Sequence, residues 1–144
     1  MRKSGRRSRL KVKRIADTGL ILAALDGRDA HHGWAVRVLR EEPPPWLVCE
    51  AVLAEISASL GTPEPVLELL QAGDLKLAFA LDENRAEVQA LARKYRDQAM
   101  DLADASVVRM SELFEDSLVY TVDQRDFSVY RRHGRRPIRC VFPS

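Results

Sequence analysis

Residues 15–27 read IADTGLILAALDG, which sets Asp17 directly behind one short apolar run and directly ahead of another. A carboxylate in such a place is costly to bury without a partner. The run before it closes "KVKRIA" (11–16), which reads as a strand. The run after it, "TGLILAAL" (18–25), turns at once into a helix. The rest of the chain repeats that alternation. "HHGWAVRVLR" (31–40) has Trp34 with Val38 and Ala35 with Leu39 at helical spacing. "PPP" (43–45) breaks the chain before a short strand, "WLVC". "EAVLAEISASL" (50–60) is a helix stopped by Gly61, and Pro63 opens another that ends at Gly73.

"LKLAFA" (75–80) reads as a strand and "NRAEVQALARKY" (84–95) as an amphipathic helix. "DLADASVVRMSELF" (101–114) is apolar nearly all round, as a central helix should be, and "SLVYTV" (117–122) and "PIRCVF" (137–142) read as the last strands. Strands alternating with helices imply an α/β fold with a mainly parallel sheet. In such sheets ligands bind at the carboxyl ends of the strands. Asp17 and Asp123 both stand at such an end.

The 144 residues suit one domain, 46% hydrophobic and 31% charged, an ordinary globular composition. The longest uncharged runs have eight residues, far short of the ~20 that span a bilayer. The run after the basic N-terminus is too short for a signal peptide and lacks a small-residue cleavage site. Cys49 and Cys140 are widely spaced and read as reduced thiols of a cytoplasmic protein. The net charge of +2 hides a segregation: residues 1–14 carry eight Lys and Arg, residues 131–144 carry five Arg, and the stretch between has a net charge of −11. Basic ends around an acidic middle suit a metal-dependent enzyme acting on nucleic acid. A solubilising arm accounts equally for the tail alone. No HExxH, GxxxxGK[ST] or GxGxxG pattern is present.

Three further places carry acids. Glu55 flanks the apolar stripe of its helix (Val52, Leu53, Ile56, Leu60). Asp101 and Asp104 share one helix face, and Asp126 follows Asp123 by three residues. Each has a plain alternative: Asp101 suits an N-cap with Asp104 at N3, Asp123 and Asp126 suit a turn, and Glu55 suits a solvated helix position. Taken together, acids at the ligand-binding edge of an α/β sheet repel one another, and a hard divalent cation removes that repulsion. By this reading Asp17 is a metal ligand.

In this order, "IADTGLILAALDGRDAHH", "LVCEAVLAEIS", "MDLADASVVRMSE" and "VYTVDQRDFSVYRR" resemble PIN-domain ribonucleases, particularly toxins of the VapC type, over residues 12–142. The resemblance implies a three-layer α/β/α sandwich around a mainly parallel sheet (residues 15–144, after a basic tail at 1–14), a homodimer, and RNA cleavage by a toxin held in check by a cognate antitoxin. It places an acidic quartet on Asp17, Glu55, Asp104 and Asp123. Asp17, Asp104 and Asp123 would bind Mg²⁺ or Mn²⁺, Asp101 would be an auxiliary ligand, and Glu55 would complete the shell or position water. Thr18 and Thr121 match hydroxyl residues that flank the first and last acids and orient ligands or water. Arg6, Arg7, Arg9, Lys11, Lys13, Arg131 and Arg132 are the cations expected on the RNA backbone. Gly19 departs from the family pattern, where Ser or Asn is common, and so does the long basic N-terminus. A non-catalytic RNA-binding PIN module and a stand-alone RNA-processing nuclease are the alternatives.

If the N-terminal cations neutralise phosphates, deleting residues 2–11 weakens RNA binding and flattens the dependence of log K on log salt. A binding isotherm series across salt concentrations checks this; an unchanged slope assigns the tail to solubility.

Overall fold

The computed structural model describes residues 12–144. Its centre is β1 (Lys13–Ala16), whose Ile15 and Ala16 are wholly buried. The chain then runs through α1 (Thr18–Leu25), α2 (His32–Glu41), β2 (Trp46–Val48), α3 (Glu50–Leu60), α4 (Glu64–Gln71) and β3 (Leu75–Leu77). A short 3₁₀ turn leads into α5 (Arg85–Lys94), α6 (Leu102–Leu113), β4 (Ser117–Tyr120) and α7 (Gln124–Phe127). The end of the chain holds β5 (Arg131–Arg132), β6 (Arg136–Pro137) and β7 (Cys140–Val141).

Five strands form one parallel sheet in the order β3-β2-β1-β4-β7. Successive side chains of a strand point to opposite faces, yet Trp46, Leu47 and Val48 are all buried. Both faces are therefore covered by helices, which is the three-layer α/β/α sandwich. The chain moves outward from β1 through β2 and β3, then returns on the other side of β1 as β4. The switch point of the topology thus lies between the carboxyl ends of β1 and β4. Register places Ala16 opposite Tyr120, so Asp17 and Thr121 leave the sheet side by side. The rings of Trp46 and Tyr120 meet edge to face 4.7 Å apart across β1.

The strands differ from expectation at their ends. β1 begins at Lys13, and Lys11 lies outside the described residues. "LKLAFA" pairs only over Leu75–Leu77; one more bond, Ala78 N–H to Val48 C=O at 3.1 Å, precedes the 3₁₀ turn. "PIRCVF" is not one strand. Pro137 has no N–H for a ladder and sits in a two-residue antiparallel ribbon with β5, while only Cys140–Val141 joins the sheet. Asp123 opens a short helix, α7, where a turn was the alternative. Gly61 ends α3 with φ at 77°, a left-handed conformation that suits glycine.

Gly19, in the first turn of α1, lies against Val122 so closely that a Cβ there would overlap the valine side chain. The missing polar side chain at position 19 thus has a packing cause. Valine is stiff at χ1 and cannot swing away. Gly19→Ala is expected to destabilise the protein by about 1–3 kcal/mol in urea unfolding, and adding Val122→Ala to recover most of it.

Candidate active site

An aspartate occupies the N-cap of each of α1, α6 and α7: Asp17, Asp101 and Asp123. Helix N-termini favour negative charge, each by roughly 0.3–1 kcal/mol. Asp101 and Asp123 cap in the ordinary way, Asp101 Oδ1 accepting the Asp104 N–H at 2.8 Å and Asp123 Oδ1 the Asp126 N–H at 3.1 Å. The Asp17 carboxylate closes no such cap. Its Oδ2 accepts the Thr121 hydroxyl at 2.7 Å, and the same Thr121 oxygen accepts the Asp123 N–H at 3.0 Å. One hydroxyl therefore ties the acid after β1 to the acid after β4.

Glu55 comes from α3, where its Oε2 accepts the Thr18 hydroxyl at 2.9 Å. Asp104, in the first turn of α6, accepts the Tyr130 hydroxyl on Oδ2 at 3.0 Å. The structure thus brings Asp17, Glu55, Asp101, Asp104 and Asp123 to one edge, with Thr18 and Thr121 among them. Their charges feel one another. Burial raises the Asp17 carboxyl above its ordinary range, with repulsion from Asp123 and Asp101 adding to it and the Thr121 bond opposing it. Burial also raises Glu55, where Asp101 and Asp17 add repulsion. Asp104 is pushed up to about 7, first by burial and then by Asp101 and Asp17.

Among the described residues, no Lys, Arg or His side chain pairs with any of these five acids. Several acids elsewhere are paired with cations: Glu115 draws Arg132, Arg136 and His133, Glu112 holds Arg109, and Arg14 is buried against Glu42. The unpartnered set offers oxygen donors only, in crowded carboxylates, which is the donor chemistry of a hard divalent cation. Among the described residues, no three of these side chains stand close enough together to hold an ion as they are placed, so the fit is one of donor type. Next to Asp101 in the chain, Leu102 opens onto a cleft of about 590 Å³ between α3 and α6, lined also by Cys49, Glu50, Phe79, Leu81 and Ser106.

The basic residues are placed less favourably. Arg6, Arg7, Arg9 and Lys11 lie outside the described residues. Lys13 opens β1 at the amino end of the sheet, a strand length of roughly 13 Å from Asp17. Arg131 turns its guanidinium back onto the carbonyls of Ser128, Val129 and Tyr130. Arg132 does not fit its expected role on RNA: it is buried, 5% exposed, and donates to the carbonyls of Ser111 in the last turn of α6 and of Glu115 just after it. Those carbonyls are orphan acceptors of a helix terminus, and a buried guanidinium satisfies them. Tyr130 was not among the expected site residues, and no periodicity in its neighbourhood marks it.

The PIN domain family matches residues 14–132. The chain is also 29% identical over 129 residues to "Ribonuclease VapC26" of Mycobacterium tuberculosis (strain ATCC 25618 / H37Rv), covering 83% of this chain and 93% of that protein.

With Asp104 at about 7 in the folded protein and near its ordinary 3.8 when unfolded, the folded state holds a proton that the unfolded state has released. This contribution to stability is complete below about pH 4 and is lost as pH rises through about 7. In metal-free thermal melts from pH 4 to 8, Asp104→Asn is expected to flatten the decline. At pH 8 it should melt above wild type, by on the order of 1 kcal/mol for a half-buried group screened by solvent. A variant that melts lower at pH 8 would make Asp104 a first-turn acid with a structural role.

Proposed function

The chain belongs to the PIN-domain family, and from that premise we propose that it is a metal-dependent endoribonuclease, the toxin of a type II toxin–antitoxin pair. The observation that carries this reading is the set of five acids at the switch point of the sheet with no cationic side chain paired to any of them among the described residues. In this reading Asp17, Asp104 and Asp123 hold Mg²⁺ or Mn²⁺, with Asp101 auxiliary. The bound ion supplies neutralising charge for the phosphodiester and a more acidic water.

The chain's own residues do the rest. Thr121 donates to Asp17 Oδ2 and so orients the carboxylate that would hold the ion, while its oxygen fixes the backbone of Asp123. Thr18 donates to Glu55 Oε2 and fixes the carboxylate beside Asp101, where it would accept a hydrogen bond from the attacking water and aim its lone pair at phosphorus. As the new O–P bond forms, the P–O bond opposite breaks in line, the water's proton passes to Glu55, and the leaving RNA oxygen takes a proton from solvent to end as a hydroxyl. The cleft next to Asp101 in the chain, walled by Phe79, Leu81 and Leu102, offers apolar surface to the bases next to the scissile phosphate.

Partners follow the same reading. RNA is the substrate, and a small antitoxin docks a peptide segment over the acids, where an arginine would pair with them. Exposed Leu67, Leu77, Leu81, Leu102 and Leu113 offer apolar surface for that contact and for a homodimer. No helix among the described residues is long and apolar enough to cross a membrane, and the reading places the protein in the cytoplasm.

Cleavage of total RNA should require Mg²⁺ or Mn²⁺ and stop in excess EDTA. Asp17→Asn should lower it by on the order of 10³-fold, the several kcal/mol that an ion contributes to the transition state. Wild-type rates in EDTA would overturn the reading. RNA bound but never cleaved, with metal present, would assign a non-catalytic RNA-binding module instead.

A further inference from the structure

We propose that Tyr130 is a positioning residue for Asp104, the third member of a set of hydroxyls that hold the acids of the site. The inference rests on the metal-centre reading above and names a residue that the motifs did not mark. Three acids from three elements each accept one side-chain hydroxyl: Asp17 from Thr121 at 2.7 Å, Glu55 from Thr18 at 2.9 Å and Asp104 from Tyr130 at 3.0 Å. A hydroxyl has one proton to donate. In each case it binds one carboxylate oxygen and fixes the direction of the group, while Asp17 also accepts the Thr18 backbone N–H and Glu55 lies within hydrogen-bond reach of Asp101.

The Tyr130 hydroxyl is held in place by the packing of its ring. The residue is wholly buried, and the ring meets Tyr95 at 5.0 Å and Phe127 at 5.1 Å, both edge to face. Tyr95 is fixed in turn, its hydroxyl accepting the Arg131 N–H at 2.8 Å. A phenylalanine would satisfy every one of these ring contacts. What tyrosine adds is one oxygen, and it points at Asp104 Oδ2. Such outer hydrogen bonds orient the inner ligand, and their loss typically weakens metal affinity or activity by about 10–100-fold.

The test is a Mn²⁺ titration of the full chain by calorimetry, with Tyr130→Phe beside wild type, together with metal-free thermal melts and RNA cleavage kinetics. Tyr130→Phe is expected to fold and melt cooperatively, to bind Mn²⁺ about 10–100-fold more weakly, and to lose kcat at fixed Mn²⁺. Its KM for RNA should stay within about twofold, since uniform substrate binding is untouched. Added to Asp104→Asn, the change should cost no further Mn²⁺ affinity. Equal Mn²⁺ affinity of Tyr130→Phe and wild type would overturn the proposal, as would an equal loss in the Asp104→Asn background or a Tyr130→Phe chain that no longer melts cooperatively. Wild type that binds no Mn²⁺ would overturn the metal-centre reading itself.

Discussion

The parallel pairing of β1 with β4 is the constraint on which the site depends. Lys13 through Ala16 stand opposite Ser117 through Tyr120, and both strands end at the same edge. A slip of one residue would turn every side chain of the displaced strand to the opposite face of the sheet and out of its packing. It would also take Thr121 away from Asp17, which is 6% exposed and would then keep only the Thr18 backbone N–H as a donor. The hydrophobic pattern that fixes register in the core thus also fixes the side-chain hydrogen bond that does most to make Asp17 tolerable. The acid that looks misplaced in "IADTG" is held there by a partner 104 residues further on.

Around that bond the protein keeps two kinds of acid. At the far end of α6 Glu112 and Glu115 are paired with arginines, and Arg14 is paired with Glu42 beneath the sheet. At the switch point the acids have hydroxyls, backbone N–H groups and helix N-termini instead. Those neutral donors steady a carboxylate without cancelling its charge, so repulsion remains, and a bound cation, as proposed above, would relieve it. Local choices that oppose stability in this way are expected where a fold carries its chemistry.

Much of this was legible in the chain because the strongest signals are local. Helical spacing located α2, α3 and α6, and Gly61 marked an end. Apolar runs located the central strands. Asp17, Asp101 and Asp123 were readable as residues at element boundaries. What escaped depends on contacts between distant segments. Whether "PIRCVF" joins the sheet is decided by which neighbour accepts it, and Pro137 removes one donor from the contest. Arg132 looks in sequence like any other surface cation, and only the carbonyls at the C-terminal end of α6 draw it inside. Tyr130 meets Asp104 across 26 residues, a separation with no periodic signature.

The separation between Asp17 and Thr121 also sets an order in time. During synthesis, at about 5–20 residues per second, the chain carries Asp17 and Glu55 out of the ribosome long before Thr121, Asp123 and Tyr130 follow. Until β4 arrives to lie against β1, Asp17 has no hydroxyl to accept and the acids have no common edge. A growing chain therefore has no assembled site, and an arrest anywhere before residue 121 yields a fragment that cannot acquire one. The same dependence holds in the finished protein: an opening that peels β4 from β1 takes the site apart while the segment carrying Asp17 and Glu55 can still be folded.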